Sequence, residues 1–207
     1  MNSPQFSDGR RVVSADGFSL IEMLITLTLI LIMSVMLYGF GSRSHQQTQK
    51  RACEKNLQNI YLALDIYGKE HDGALPEAAD AATSEVPLAQ LVPHYTVASE
   101  DFICPGSKDK ALPNGESFAD RRISYAYFKG RKTSDANALL MSDRQINTLP
   151  KPAGAPVFST DGKPPGNNHH KYGGNFLFTD GHTESSGPKA PFVIAWPTNV
   201  TLLNPKS

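Results

Sequence analysis

Residues 17–41 read GFSLIEMLITLTLILIMSVMLYGFG, and this stretch decides the fold of the N-terminal part of the chain. From Phe18 to Gly41 every residue is uncharged except Glu22. About 20 apolar residues are enough for a helix to cross a bilayer. A carboxylate inside such a segment costs on the order of 2.5–3.5 kcal/mol. We therefore predict a membrane-length helix in which Glu22 has a functional role.

Three interpretations of this stretch compete. A cleaved secretory signal has a shorter apolar core with a small-residue cleavage site after it, whereas Gly17 lies before the apolar run. A plain membrane anchor accounts for the hydrophobicity but leaves Glu22 without a role. A signal that is cut on the cytoplasmic side of a retained apolar segment accounts for both residues, and we favour it.

The residues GFSLIEML resemble the processing site of type IV pilins and pseudopilins. The resemblance implies that a prepilin peptidase cuts between Gly17 and Phe18 and then methylates the new amine of Phe18. The leader is then residues 1–17. Arg10 and Arg11 favour its retention in the cytoplasm, because positive charge marks the cytoplasmic side of a membrane segment.

The same resemblance implies a role for Glu22. In pilin-like filaments the apolar helices bundle together, and the buried carboxylate pairs with the N-terminal amine of a neighbouring subunit. A charge in an apolar core is tolerated only when it is paired. We therefore expect Glu22 to set the register of assembly by finding such an amine on another copy.

The composition limits the classes of function. The chain has 207 residues and a formal net charge of +0, which offers no electrostatic case for binding nucleic acid. The part after residue 41 is long enough for one small domain. Ser142, Asp143 and the six histidines form no recognisable pattern of nucleophile and base. We therefore expect a protein that is not an enzyme.

Apolar residues continue at helical spacing beyond residue 41. They predict one stripe of an amphipathic helix, formed by Cys53, Leu57, Ile60, Tyr61, Leu64 and Tyr67. The predicted helix runs from Phe18 to about Glu70 and is ended by Asp72-Gly73. The chain thus divides into a leader (1–17), an apolar half-helix (18–41), an amphipathic half-helix (42–73) and a head domain (74–207).

The head domain contains several strand patterns. They predict a hairpin at 175–184, strands at 122–128 and 138–141, and weaker strands at 192–196 and 200–203. Asp180-Gly181 predicts a two-residue type I′ turn within the hairpin. The Pro-, Gly- and Asn-rich segment 151–168 is predicted to be a loop. The predicted fold class is α+β, with a pilin-like long N-terminal helix packed on a small antiparallel sheet with long loops.

The two cysteines, Cys53 and Cys104, allow two interpretations. The soluble part is expected to face the periplasm or the outside, where disulfides persist, so a Cys53–Cys104 bridge is one hypothesis. Two buried free thiols are the other, since cysteine packs as a small hydrophobic residue. The Cα separation that decides between them is not contained in the sequence.

His170 is followed, after nine residues, by Asp180-Gly181. This spacing resembles the C-terminal signature of a pseudopilin-like family, and Phe102-Ile103-Cys104-Pro105 resembles the middle section of that family. We expect a structural role for His170, whose imidazole would bond Asp180 or a backbone group and fix the hairpin against the preceding loop.

Metal binding is the alternative role for this region. A zinc site could draw on His169, His170, Asp180 and His182. A calcium site could draw on Asp161, Asn167, Asn168 and Asp180, and major pseudopilins of type II secretion carry a C-terminal calcium site. Adjacent strand residues such as His169 and His170 point to opposite faces, and no EF-hand spacing is present. Apart from the calcium alternative, we expect no cofactor.

These patterns predict a structural subunit as the main hypothesis. A prepilin peptidase would process it, and it would assemble with copies of itself and related pseudopilins on an inner-membrane secretion platform. The product would be a periplasmic pseudopilus of a type II secretion-like system. The subunit would cross the inner membrane once, with its C-terminal domain in the periplasm. The alternative is a membrane-tethered periplasmic module that binds a substrate or metal and does not polymerise.

Overall fold

The computed structural model describes residues 17–206, and the side chains of 17–37 and 44–206. The chain forms two compact units, which divide between Ser42 and Arg43. Of the predicted leader, only Gly17 is among the described residues, so Arg10 and Arg11 lie outside them.

The first helix, α1 (Leu20–Glu70), ends where its sequence predicts. The N–H of Gly73 donates to the carbonyl of Gly68 at 2.8 Å, and Asp72 and Gly73 have φ values of +52° and +84°. Left-handed residues just after the last turn let the chain turn back and satisfy the final helix carbonyls. The predicted end of the helix at Asp72-Gly73 is therefore confirmed.

The first unit contains the apolar part of α1. Its stretch Leu20–Leu37 is long and apolar enough to cross a membrane, and its large apolar side chains are exposed all around the helix. The hydroxyls of Thr26, Thr28 and Ser34 donate to helix carbonyls at 2.9, 2.7 and 2.7 Å respectively. The polar groups of this stretch other than Glu22 are thus satisfied within the helix, as a bilayer or a filament core requires.

The second unit contains a five-stranded antiparallel sheet with the order β4-β3-β2-β1-β5. Its strands are β1 (Tyr125–Lys129), β2 (Leu139–Asp143), β3 (Gly174–Phe178), β4 (Thr183–Ser186) and β5 (Thr201–Leu203). The first four strands follow one another as neighbours, and β5 returns to pair with β1. The α+β fold class, with a long helix and a small antiparallel sheet, is confirmed.

One face of the sheet packs on the second half of α1. Tyr125 and Tyr127 of β1 and Leu177 of β3 share a buried core with Leu57 and Leu64 of the helix. Because side chains alternate along a strand, the residues between them point away from α1. The amphipathic stripe of the helix is therefore what binds the sheet.

The opposite face of the sheet is also buried. Phe128, Phe176 and Phe178 form a second core with Val157 and Phe158, which lie in the segment predicted to be a loop. That segment has no strand of its own, but its apolar residues cover the sheet. The sheet is therefore a middle layer between α1 and an irregular layer of chain.

Two local predictions are wrong. Gly181 has a φ of +87°, but Asp180 is not left-handed, so the hairpin turn is not type I′. The N–H of Gly181 donates to the carbonyl of Phe178, and the N–H of Phe178 donates to the carbonyl of His182, both at 3.0 Å. This is a three-residue turn, in which only the glycine adopts the left-handed region. Segment 192–196 contributes a single isolated bridge, at Ile194, rather than a strand.

The buried side chain of Lys151 links residues of the irregular layer by hydrogen bonds. Its Nζ donates to Oε1 of Gln145 and to the carbonyls of Asn147 and Leu149 at 3.0, 3.1 and 2.8 Å. All three acceptors are neutral. Burial therefore lowers the pKa of Lys151 to about 8, because the ammonium loses hydration without gaining a counter-charge.

This lysine predicts a pH dependence of stability. Since its pKa in the folded chain lies below that in the unfolded chain, the unfolded chain binds more protons between pH 8 and 10.5, and stability rises with pH in that window. From pH 8 to 9.5 we expect the free energy of unfolding to increase by about 1–2 kcal/mol more in the wild type than in Lys151→Met. Urea unfolding of the detergent-solubilised chain, followed by the fluorescence of Trp196, measures this; parallel pH profiles would contradict it.

Candidate functional site

The predicted processing bond lies just outside the first helix. Gly17 and Phe18 precede Leu20, the first residue of α1, and Phe18 is 77% exposed. A Cβ added at Gly17 would contact none of the described residues within 4 Å. The Gly17–Phe18 bond is therefore accessible, and the fold of this chain itself does not require a glycine there.

Glu22 lies in the first turn of α1. The carbonyl of Ser19 accepts the N–H groups of Glu22 and Met23 at 2.9 and 3.1 Å, so the helix begins immediately before the carboxylate. A negative charge is favoured near a helix N-terminus by the helix dipole. Glu22 is exposed, and its carboxylate makes no hydrogen bond or ion pair with any residue that the structure describes.

A second site, not predicted from the sequence, lies where the sheet meets α1. It is centred on the carboxylate of Asp143, the last residue of β2, which is completely buried. Oδ1 of Asp143 accepts Nδ2 of Asn168 at 2.9 Å, and Oδ2 accepts the backbone N–H of Asn175 at 2.8 Å. Asn175 also donates from Nδ2 to the carbonyl of Lys50 in α1 at 2.9 Å. The carboxylate therefore joins three segments of the head to the helix.

His169 completes this buried polar cluster. Its Nε2 lies 3.3 Å from Oδ2 of Asp143 and 3.5 Å from Sγ of Cys104. The turn that carries Cys104 approaches closely because Gly106 has no side chain; a Cβ there would lie 2.7 Å from Nδ1 of His169. Cys104 is in turn joined by a disulfide to Cys53 of α1.

The electrostatics of the cluster favour a charged Asp143. Burial by itself raises the pKa of this carboxyl, but His169 and the hydrogen bonds from Asn168 and Asn175 outweigh burial and hold the pKa below its usual value. Lys50 shows the opposite balance. Burial lowers the pKa of its ammonium, while Asp143 and Glu54 oppose that change. The cluster thus keeps one carboxylate ionised in the interior.

The fold does not bring together His170 and Asp180, the two residues of the predicted C-terminal signature. His170 is exposed in a left-handed conformation with φ +53°, and its ring covers Gly162. Oδ1 of Asp180 instead accepts the backbone N–H and Nδ1 of His182, at 3.1 and 2.6 Å. Within residues 17–206 the His170 ring has a hydrogen bond neither to Asp180 nor to a backbone group, so the expected contact is wrong. The buried histidine is its neighbour His169.

The two metal sets of the sequence analysis are also dispersed. His169 belongs to the buried cluster, whereas Asp180 and His182 form an exposed pair on the hairpin. Asp161 is occupied by its own loop, accepting Oγ of Ser159 and the N–H of Lys163 at 3.0 Å each. The metal-ligating residues that the described part of the chain does bring together are Cys53, Cys104, Asp143 and His169.

A cleft of about 610 Å³ opens beside the buried cluster and shares Asn168 with it. Lys108 and Arg122 line the cleft and are exposed. Arg144, which also lines it, pairs with Asp109 at 3.1 Å. Positive charges outnumber the carboxylate here, so the cleft suits an anionic group.

Sequence reasoning missed Asp143 and His169 as a pair. Asp143 lies two residues after the apolar run Leu139–Met141, in the same strand, which is a signal for a buried carboxylate. The spacing of nine residues before Asp180 points to His170. No feature of the neighbouring sequence shows that His169, and not His170, is the buried histidine. The contact of Asp143 with His169 joins residues 26 positions apart, so only the fold reveals it.

Comparisons with known proteins agree with the N-terminal part of this description. The family model "Prokaryotic N-terminal methylation motif" matches residues 14–38. The ComG operon protein 3 homolog of Bacillus licheniformis is 28% identical over 109 residues, which are 50% of this chain and 96% of that protein. Competence protein ComGC of Bacillus subtilis is 30% identical over 101 residues, 48% of this chain and 91% of its own length. No solved structure matches.

The buried cluster predicts a large effect of a small substitution. Asp143→Asn keeps the size of the side chain but places an amide donor against the donors of Asn168 and Asn175. We expect it to lower the free energy of unfolding by about 3 kcal/mol, since breaking a buried charged network is costly. Urea unfolding followed by Trp196 fluorescence measures the loss.

Asp180→Asn is the matched control for this experiment. Its side chain is about half exposed and an asparagine can still accept the N–H of His182, so we expect a loss under about 1 kcal/mol. Equal losses in the two variants would show that the Asp143 cluster does not stabilise the head.

Proposed function

The chain belongs to the type IV pilin-like proteins with a prepilin motif, and from this premise we propose that it is a structural subunit of a periplasmic pseudopilus. A prepilin peptidase would cut between Gly17 and Phe18 and methylate Phe18. The processed subunit would assemble with copies of itself and related pseudopilins, on the inner-membrane platform of a type II secretion-like system.

The proposal rests on the arrangement of Gly17, Phe18 and Glu22 at the start of α1. The bond to be cut is exposed, and the apolar helix that follows shows its side chains on every side. Such a helix has to be buried in a bilayer or among other helices. Cleavage would create a positive amine at Phe18, and Glu22 would need a positive partner once it leaves water. The amine of a neighbouring copy would supply that partner.

The same features support the compartment that we propose. The apolar helix and the prepilin motif indicate a membrane-anchored protein with the rest of the chain outside. We place the head domain in the periplasm, and the Cys53–Cys104 disulfide supports an oxidising compartment. Assembly would then lift the apolar helix out of the membrane into the core of the filament.

A second function has one observation in its favour. The cleft lined by Lys108, Arg122 and Arg144 could hold an anionic ligand, as in a membrane-tethered binding module that does not polymerise. The two functions differ in what they require of Glu22, because a tethered module has no use for intermolecular charge pairing. Assembly of Glu22 variants therefore distinguishes them.

Processing is tested at Gly17. Since the chain itself tolerates a Cβ there, Gly17→Val should leave the fold intact and abolish cleavage, so that intact mass spectrometry of the membrane fraction finds the leader still attached. Gly187→Ala is the control, because a Cβ at that position also contacts nothing, and it should be cleaved as in the wild type. A normal mature N-terminus in Gly17→Val would overturn the processing step.

Assembly is tested at Glu22. Glu22→Gln keeps the shape of the side chain and removes its charge, and Glu22→Ala removes both. We expect both variants to be cleaved and methylated normally but to form no sedimentable filaments, because the charge pair is lost. Thr26→Ala, one turn further along, removes only a hydroxyl that bonds Met23 within the helix and should assemble. Filaments of Glu22→Gln in wild-type amounts would contradict the pairing and favour the tethered module.

A further inference from the structure

Four metal-ligating side chains converge in the interior of the head. They are Cys53 on α1, Cys104 in the turn that packs against it, Asp143 at the end of β2 and His169 in the loop before β3. Their ligand atoms all lie within 4.8 Å of one another, and all four residues are buried. Cysteine sulfur, imidazole nitrogen and carboxylate oxygen are all ligands of zinc, and four of them satisfy its tetrahedral coordination.

The spacing around His169 already matches such a site. With Zn–S of about 2.3 Å and Zn–N and Zn–O of about 2.1 Å, tetrahedral geometry places sulfur and nitrogen about 3.6 Å apart, and nitrogen and oxygen about 3.4 Å apart. In the structure, Nε2 of His169 lies 3.5 Å from Sγ of Cys104 and 3.3 Å from Oδ2 of Asp143. Two edges of the tetrahedron are therefore close to their final lengths, and zinc binding requires the two sulfurs to separate once their bond is reduced.

The surroundings hold these ligands in place. Oδ1 of Asp143 accepts Nδ2 of Asn168, and Oδ2 accepts the N–H of Asn175. Hydrogen bonds of this kind to a ligating carboxylate orient it and tune the metal. Two thiolates, a carboxylate and Zn²⁺ have a net charge of −1. The ammonium of Lys50, on α1, interacts electrostatically with Asp143 and so partly offsets this charge.

We propose that, when the Cys53–Cys104 disulfide is reduced, these two cysteines bind one Zn²⁺ together with His169 and Asp143. Binding releases the two thiol protons, because the thiolate is the ligand. The disulfide and the zinc site exclude each other, since both use the same two sulfurs. The thiolate sulfurs and the imidazole favour zinc over calcium or magnesium, which prefer oxygen ligands.

The two states are linked by a defined redox step. A low-molecular-weight disulfide accepts two electrons from the zinc-bound thiolates of Cys53 and Cys104. The sulfur–sulfur bond of the protein forms, the bond of the small disulfide breaks, and two small thiolates and Zn²⁺ are released. In a chain whose cysteines stay reduced until the head has folded, the zinc form would thus hold the two sulfurs near each other before oxidation.

The experiment compares the two redox states of one protein. The full chain in detergent micelles is reduced under nitrogen with a phosphine, or left oxidised, and both samples are dialysed against equimolar Zn²⁺. We expect one zinc per reduced chain and none per oxidised chain by elemental analysis. X-ray absorption at the zinc edge should show two sulfur and two nitrogen or oxygen ligands. Equal zinc content in the two states would overturn the proposal, as would a site of four sulfurs bridging two chains.

Substitutions separate a built site from chelation by thiols alone. His169→Ala should weaken zinc binding by more than about 100-fold, since even outer-shell partners contribute about 10–100-fold. His170→Ala, at the adjacent exposed histidine, should bind as the wild type does. Unchanged affinity in His169→Ala would mean an adventitious ion only. If Trp196 fluorescence shows that His169→Ala does not fold, the ligand count measured on the wild type decides alone.

Discussion

A carboxylate that leaves water must find positive charge or hydrogen-bond donors, and this constraint organises both units of the chain. Asp143 meets it within the fold: Asn168, His169 and Asn175 surround it, and their convergence brings together β2, β3 and the loop between them. Glu22 does not meet it within the described residues. We infer that the same requirement stabilises the head domain in one case and drives association between copies in the other.

The helix α1 serves two environments with two patterns of side chains. Up to Leu37 its apolar residues are exposed in every direction, which is stable only in lipid or among other helices. From Cys53 onward one apolar stripe packs on the sheet, and the remaining faces carry mostly polar residues, with Leu62 and Ile66 as exposed exceptions. The disulfide joins this second half covalently to the head. The head therefore cannot detach from its helix by a loss of packing alone.

Much of this fold could be predicted because its signals are local. Helical spacing, the Asp72-Gly73 stop and the alternation along β1 and β3 are all read within a few residues. The second core could not be predicted, because Val157 and Phe158 lie in a segment whose prolines and glycines indicate only a loop. The pairing of Asp143 with His169 depends on how distant segments meet, and a spacing rule selected the wrong histidine. In the hairpin, the Asp180-Gly181 pair predicts the position of the turn correctly but not its length. The turn has three residues because Phe178 pairs with His182.

The position of β5 has a consequence for how the head is completed. This strand is the last along the chain, yet it pairs with β1, the first strand of the sheet. If the head crosses a membrane in the order of its sequence while the leader stays behind, Cys53 and Cys104 can meet before any described strand has emerged. By contrast, β1 keeps an open edge of unpaired backbone groups until Thr201–Leu203 arrives. Open edges recruit strands from other molecules. Delivery in this order would form the covalent link first and leave the sheet vulnerable to misassociation until β5 has crossed.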